Sequence, residues 1–214
     1  KLSRISLLKI SKVSVFNFHY AKPPVTVSMN YSLNKVIGDN ETGFSGNEDV
    51  NYRTEAWDFM VAGGGLFNNL DYSYTTEHED GSFAFPPQQP GGGGAQLRAQ
   101  LGILKSVFDE LDFVAMQPSN YVLKTLSSGP ATCRVLGWYG EQYLIYINNT
   151  QTEQTDYSLR YSSILTVPET GIYWFKTYSD DGIRLWIDDS LLINNWTDHG
   201  TVADSAGVDL SGSK

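Results

Sequence analysis

Apolar residues follow two different periodicities along the chain, and the change between them divides it into two parts. In the first part, short β-branched and aromatic runs alternate with segments whose apolar residues recur every three or four positions. The runs predict strands at 13–19, 36–39 and 66–74, and helices at 23–30, 53–62 and 95–111. The clearest helix carries its apolar residues at Leu97, Leu101, Leu104, Val107, Phe108 and Leu111. Such alternation predicts parallel strands joined by crossover helices.

The second part of the chain predicts strands alone. Strand-like runs lie at 133–147, around a turn at 139–141, and at 159–167, 171–178, 182–187, 191–195 and 207–210. Turn sequences separate them at 168–171 and 188–190. Short strands at roughly 8–12 residue spacing favour a β-sandwich. The run at 207–210 has no evident strand partner and the chain begins with Lys1, so we expect truncation at both ends.

Charge and composition narrow the classes of partner. Fifteen Lys and Arg stand against 24 Asp and Glu, for a net charge of -9, and an acidic chain without a basic run is a poor ligand for nucleic acid. A hydrophobic share of 41% indicates a folded protein. No apolar run reaches the length of about 18 residues that spans a membrane. The single cysteine, Cys133, excludes an internal disulfide.

The strongest candidate chemistry lies where the first two predicted strands end. The strand at 36–39 runs directly into Asp39, Asn40 and Glu41, and His19 ends the strand before it. Carboxylates at the C-terminal ends of barrel strands point into the active-site mouth. Glycoside hydrolysis needs two carboxylates that flank the scissile bond, and Glu41 suits one of these positions. The alternatives are a solvated turn or helix cap for Glu41 and a structural role for His19.

Further polar residues follow the third predicted strand. Asp71, Glu77 and His78 lie there, with Glu79 and Asp80 beside them. Such a cluster could line a substrate pocket or bind a metal ion. A solvated acidic loop is the alternative.

Five motifs resemble the last third of a glycoside-hydrolase-like (β/α)8 barrel of the cellulase type. They are FNFHY at 16–20, VIGDNETGF at 36–44, RTEAWDF at 53–59, AGGG at 62–65 and NLDYS at 69–73. The resemblance covers Val15 to about Tyr121 and implies a carbohydrate-active enzyme without a cofactor. It implies that Glu41 is a catalytic carboxylate. From their positions at and after the strand ends, we add Asp39 and His19 as catalytic candidates and Tyr20, Asp71, Glu77 and His78 as substrate-binding candidates. The second catalytic carboxylate would precede Lys1, so we expect the chain by itself to be inactive.

Three later motifs resemble the protective-antigen (PA-14-type) module. They are LTVPETGIYWF at 165–175, SDDGIRLWID at 179–188 and LINNW at 192–196. Modules of this type are β-sandwiches of β-glucosidases, bacterial toxins and fungal adhesins, and many bind carbohydrate. By the resemblance, Asp180 and Asp181 match a pair that holds Ca²⁺ in lectin-like members, and Ca²⁺ prefers such hard oxygen ligands. A β-turn at this sequence is the alternative.

The predicted fold class is therefore α/β plus all-β. We expect a partial (β/α)8 barrel at 1–125, a small β-domain or linker strands at 126–150, and a partial PA-14-type β-sandwich at 151–214. The predicted function is that of a secreted or surface glycoside hydrolase with a carbohydrate-binding module, whose partner is a polysaccharide or glycan. The alternative is a non-catalytic carbohydrate-binding or adhesion protein with a scaffold barrel, because fold does not fix function.

Overall fold

The computed structural model describes residues 12–22, 24–123, 132–148, 160, 162 and 164–212. The chain divides into two compact units, Lys1–Ser163 and Ile164–Lys214. No helix in these described ranges combines the length and apolar character needed to cross a membrane.

Three parallel strands form the first sheet, in the order β1-β2-β3. They are β1 (Val15–His19), β2 (Val36–Glu41) and β3 (Leu66–Phe67). Helix α1 (Val25–Asn30) joins the first two strands, and helix α2 (Asp49–Val61) joins the second and third. The register of β1 on β2 shifts between Phe18 and His19, and this shift sets His19 opposite Glu41. The alternation of strands and helices thus has the parallel pairing that the sequence predicts.

One side of helix α2 packs on the parallel sheet. Phe59 is 1% exposed and lies in a core cluster with Ala21, Val27 and Ile37. Tyr52, Glu55 and Ala56 are also buried, one or two turns earlier on the helix. These positions repeat at the three- and four-residue spacing of a single helix face.

The other side of helix α2 packs on an antiparallel sheet of order β4-β5-β6. Its strands are β4 (Gln117–Pro118), β5 (Thr132–Trp138) and β6 (Gln142–Asn148). Val61 lies in a second cluster with Met116 and Leu136, and the rings of Trp57 and Tyr146 stack with centroids 5.4 Å apart. Arg134 Nε donates a hydrogen bond of 2.9 Å to Asp58 Oδ1 beside them. Helix α3 (Ala95–Asp109) adds Phe108 to this cluster.

The expected (β/α)8 barrel is wrong. Among the residues described, the parallel sheet has three strands, and no closed eight-stranded barrel is present. The predicted strand at 66–74 stops at Phe67, before Asn68 and Asn69, which are poor strand formers. After helix α3 the chain enters β4, which pairs antiparallel with β5 instead of extending the parallel sheet.

The second unit is β-rich and contains two antiparallel strand pairs. Strand β7 (Gly171–Ser179) pairs with β10 (Val202–Leu210), and β8 (Ile183–Ile187) pairs with β9 (Ser190–Asn195). Asp188 and Asp189 form the β8–β9 turn with φ of 46° and 63°, the left-handed pair that suits a two-residue hairpin.

Two expectations for this unit need correction. The run at 207–210 was expected to lack a partner, but it pairs with β7. It belongs to a longer strand, β10, which begins at Val202 and pairs with a strand about 30 residues earlier in the chain. In the predicted strand at 159–167, residues 164–167 form no strand. Residues 159, 161 and 163 lie outside the described residues.

We predict that Leu136→Ala lowers the free energy of unfolding by about 2–5 kcal/mol, because Leu136 is 1% exposed in the cluster between β5 and α2. The control is Ile145→Ala on the neighbouring strand, where the side chain is 45% exposed and the expected loss is about 1 kcal/mol or less. Denaturant unfolding measures both. Equal losses would contradict the packing of the hairpin on helix α2.

Candidate functional site

The ends of β1 and β2 bring His19, Tyr20 and Glu41 into contact. His19 Nδ1 lies 3.0 Å from Glu41 Oε2, and the Tyr20 hydroxyl donates a hydrogen bond of 2.6 Å to Glu41 Oε1. The side chain of Glu41 is 31% exposed and that of His19 is 53% exposed, so solvent reaches both. Each oxygen of the Glu41 carboxylate therefore has its own partner while the group stays accessible. We call these three residues the strand-end site.

Tyr20 is held as a hydrogen-bond donor in the strand-end site. The hydrogen bond to Glu41 raises the pKa of Tyr20 to about 12, because losing the phenolic proton would place a second negative charge beside the carboxylate. The Tyr20 backbone N–H also donates to the Glu41 carbonyl oxygen at 3.1 Å. Main chain and side chain thus both fix Tyr20 on the end of β2.

Asp39, a predicted catalytic residue, is fully buried beneath this site. Its Oδ2 accepts a hydrogen bond of 3.0 Å from the Ala21 backbone N–H. Burial raises the pKa of Asp39 to about 6, although the backbone of Ala21 and Glu41 and the nearby His19 lower it in part. A carboxyl group that solvent does not reach does not contact a substrate in this conformation, so its geometry suits the support of the β1–α1 connection.

Glu55 on helix α2 is a second buried carboxyl group, and sequence reasoning missed it. It is 5% exposed and its Oε2 has no hydrogen-bond partner. Burial raises the pKa of Glu55 to about 7, Lys22 lowers it, and the charge of Asp39 raises it further. The three- and four-residue spacing of Tyr52, Glu55 and Phe59 could have predicted this burial, because it places Glu55 on the same helix face as the two aromatic residues.

Asp71, a predicted substrate contact, is a structural anchor of the loop before helix α3. Its Oδ1 accepts hydrogen bonds from the Ser73 and Gly94 backbone N–H groups and from the Ser73 hydroxyl, and its Oδ2 accepts from Arg98 Nη1 at 2.9 Å. Burial acts to raise the pKa of Asp71, but these hydrogen bonds outweigh it and the pKa is lowered. With four donors already bound, the carboxylate has little capacity for a sugar hydroxyl.

Glu77 and His78, the other predicted substrate contacts, lie in the same loop. Hydrogen bonding, chiefly to the Thr76 side chain, lowers the pKa of Glu77, and His78 Nδ1 lies 3.0 Å from the Ser82 hydroxyl. Within the described part of the chain, neither these two residues nor Asp71 shares a hydrogen bond, ion pair or ring contact with the strand-end site. The structure therefore divides the predicted site residues between two places.

Asp180 and Asp181 lie exposed between β7 and β8, joined by a cis peptide bond. Asp181 Oδ1 accepts a hydrogen bond of 3.2 Å from the His199 backbone N–H. Among the residues that the structure describes, no group of three or more His, Cys, Asp or Glu side chains could hold a metal ion. Ca²⁺ takes six to eight oxygen ligands, so in a Ca²⁺ site here backbone, amide or water oxygens would have to join the two carboxylates.

Comparison with known proteins bears on the C-terminal part of the chain. Residues 143–213 match the PA14 domain, a carbohydrate-binding type of domain found in glycosidases and adhesins. The match begins within β6 and includes β7 to β10. No curated protein and no solved structure matches the chain. The expected protective-antigen type module is confirmed, whereas no comparison supports the hydrolase-like segment.

We predict that Glu55→Gln weakens the loss of stability with rising pH. Glu55 keeps its proton in the folded protein to about pH 7, whereas the ordinary pKa is 4.5, so folding becomes less favourable as pH rises through this window. For Glu55 alone the loss is about 3 kcal/mol, and Asp39 acts in the same direction. Unfolding free energies at several pH values between about 5 and 8 measure it.

The control for this prediction is Glu141→Gln, which changes an exposed carboxylate in the β5–β6 turn and should leave the pH dependence as in the wild type. An unchanged pH dependence in Glu55→Gln would show that Glu55 does not retain its proton on folding.

Proposed function

We propose that this protein is carbohydrate-active and that Glu41 takes part in the hydrolysis of glycosidic bonds, as nucleophile or general base. The observation that carries the proposal is the accessible Glu41 carboxylate, held by His19 and Tyr20 at the ends of two parallel strands. The PA14 match supports the carbohydrate class of the ligand. We also propose that the protein lies outside the cell or on its surface, where it would encounter polysaccharides.

The geometry of the strand-end site suits nucleophilic or general base chemistry. Such a carboxylate must present a lone pair in a fixed direction, and a residue on each oxygen prevents rotation of the group. Tyr20, held protonated, donates to Glu41 Oε1 and leaves that oxygen's second lone pair available. Ordering the group before the reaction lowers the entropic cost of reaching the transition state.

Hydrolysis also needs a second carboxyl group across the scissile bond. Its distance from the first is about 5–5.5 Å in retaining enzymes and about 6.5–9.5 Å in inverting enzymes. Asp39 and Glu55 do not suit this role because both are buried. The proposal therefore assigns Glu41 one of the two positions and leaves the stereochemical course open.

We predict that Glu41→Gln lowers kcat roughly 10²–10⁴-fold while KM changes far less, because the amide keeps the shape of the side chain and loses the basic oxygen. The measurement is the release of reducing ends from polysaccharide, assayed with the natural protein and with the same protein carrying the substitution. Glu141→Gln, an exposed change in the β5–β6 turn outside every predicted site residue, serves as the control. Near-normal turnover by Glu41→Gln would remove Glu41 from the mechanism.

A second candidate function is carbohydrate binding without catalysis, and the PA14 match is the observation that favours it. In this proposal the second unit binds glycan together with Ca²⁺, and Asp180 and Asp181 supply carboxylate oxygens to the ion. Bound Ca²⁺ supplies a hard positive centre for hydroxyl oxygens. The exposure of both carboxylates supports access for ion and glycan.

We predict that Asp181→Asn weakens binding of Ca²⁺ and of glycan together, because it removes an anionic ligand from a site of extracellular affinity, on the order of 10⁻⁴–10⁻³ M. Calorimetry measures the affinity, and melting with chelator and with excess Ca²⁺ measures the stabilisation by mass action. Asp209→Asn, an exposed change on β10, is the matched control. Identical wild-type melting in both conditions would argue against the ion.

A further inference from the structure

Phe44, just after β2, has a combination of properties that folding does not explain. Its φ of 69° lies in the left-handed region, which is a clear outlier for a bulky residue. Its side chain is 53% exposed, so the ring gains little from burial. Glycine or asparagine would adopt this backbone with less strain. Outliers of this kind cluster at ligand-binding and active sites, and the observation itself motivates a functional hypothesis.

Tyr20 has the same two properties and lies beside Phe44. Its φ is 58° and its side chain is 49% exposed. The two ring centroids lie 5.8 Å apart with an interplanar angle of 51°. The left-handed residues thus present a pair of tilted, half-exposed rings next to Glu41, to which Tyr20 is hydrogen-bonded.

The loop that carries Phe44 is fixed by groups beneath it. The Ser45 backbone N–H donates to the hydroxyl of the fully buried Tyr52 at 3.1 Å, and Asn51 Nδ2 donates to the Ser45 carbonyl oxygen at 2.7 Å. Gly46 N–H donates to the Pro90 carbonyl oxygen at 3.0 Å. These contacts fix the backbone directly after Phe44 before any ligand arrives, and a fixed loop of this kind suits a binding residue.

We propose that Phe44 and Tyr20 form an aromatic subsite that packs against the C–H face of a sugar ring beside Glu41. The proposal rests on the proposed carbohydrate activity of the strand-end site and names Phe44 as a further substrate-contacting residue. Binding sites commonly join apolar and aromatic walls with a few placed polar groups. Here the two rings supply the apolar wall, and His19, the Tyr20 hydroxyl and Glu41 supply partners for sugar hydroxyls.

The test compares Phe44→Gly with Phe44→Trp in binding and in stability. The probes are cellohexaose, laminarihexaose and xylohexaose, each titrated calorimetrically into the protein as its natural source produces it. We expect Phe44→Gly to bind the preferred probe at least about tenfold more weakly, since loss of the apolar surface that one aromatic ring buries changes affinity on this scale. Phe44→Trp should recover binding relative to the glycine variant. Tyr139→Gly, which removes an exposed ring in the β5–β6 turn, is the binding control.

Stability separates a binding role from a structural one. Phe44→Gly relieves the left-handed strain, so the denaturant midpoint should stay at or above the wild-type value. A lower midpoint would mean that the ring serves folding, and unchanged binding by Phe44→Gly would mean that the sugar lies elsewhere. Either result would overturn the subsite. If the wild-type protein neither bound nor cleaved any of the three probes, the proposed function itself would fail. Failure of the subsite alone would leave wild-type binding intact, so the two failures are distinguishable.

Discussion

Burial of helix α2 on two sides is the constraint on which the first unit depends. Phe59 faces the parallel sheet, and Val61 faces the antiparallel sheet and Leu136. A helix buried in this way cannot show one apolar stripe and one polar face. The same helix supplies Tyr52 and Glu55, which lie beneath the loops of the strand-end site. Packing of the core and support of the site are therefore properties of a single element.

One accessible acidic group lies in the strand-end site, and two inaccessible ones lie near it. Glu41 reaches solvent with a partner on each oxygen, whereas Asp39 and Glu55 are buried with raised pKa values. Ionising a buried carboxyl group costs free energy because the charge loses its hydration. The protonated form avoids this cost, and burial therefore raises the pKa. Left-handed backbone at Tyr20 and Phe44 adds local strain at the same edge of the sheet. Such concentration of unfavourable features at one accessible place is typical of a functional site.

The two units carry different kinds of support for carbohydrate activity. The C-terminal match to the PA14 domain indicates the ligand class without requiring any catalytic residue. Residues 1–142 have no such match, and the role proposed for this part of the chain depends on the contacts of Glu41. All five polar residues noted after the third strand lie in the loop between β3 and α3, where hydrogen bonds from Ser73, Gly94 and Arg98 occupy the Asp71 carboxylate.

The sequence by itself predicted most of the helices and strands, because these patterns depend on residues close together in the chain, although the strands at 66–74 and 159–167 were predicted too long. It predicted helix α3, the β5–β6 hairpin and a strand at 36–39, which the structure extends to Glu41. Only the tertiary structure decided which strands pair. Strand β10 pairs with β7, and the described parallel strands form a three-stranded sheet instead of a barrel. Only the tertiary structure placed Asp39 and Glu55 in the interior and Phe44 beside Tyr20, because burial and ring contacts depend on segments far apart in sequence.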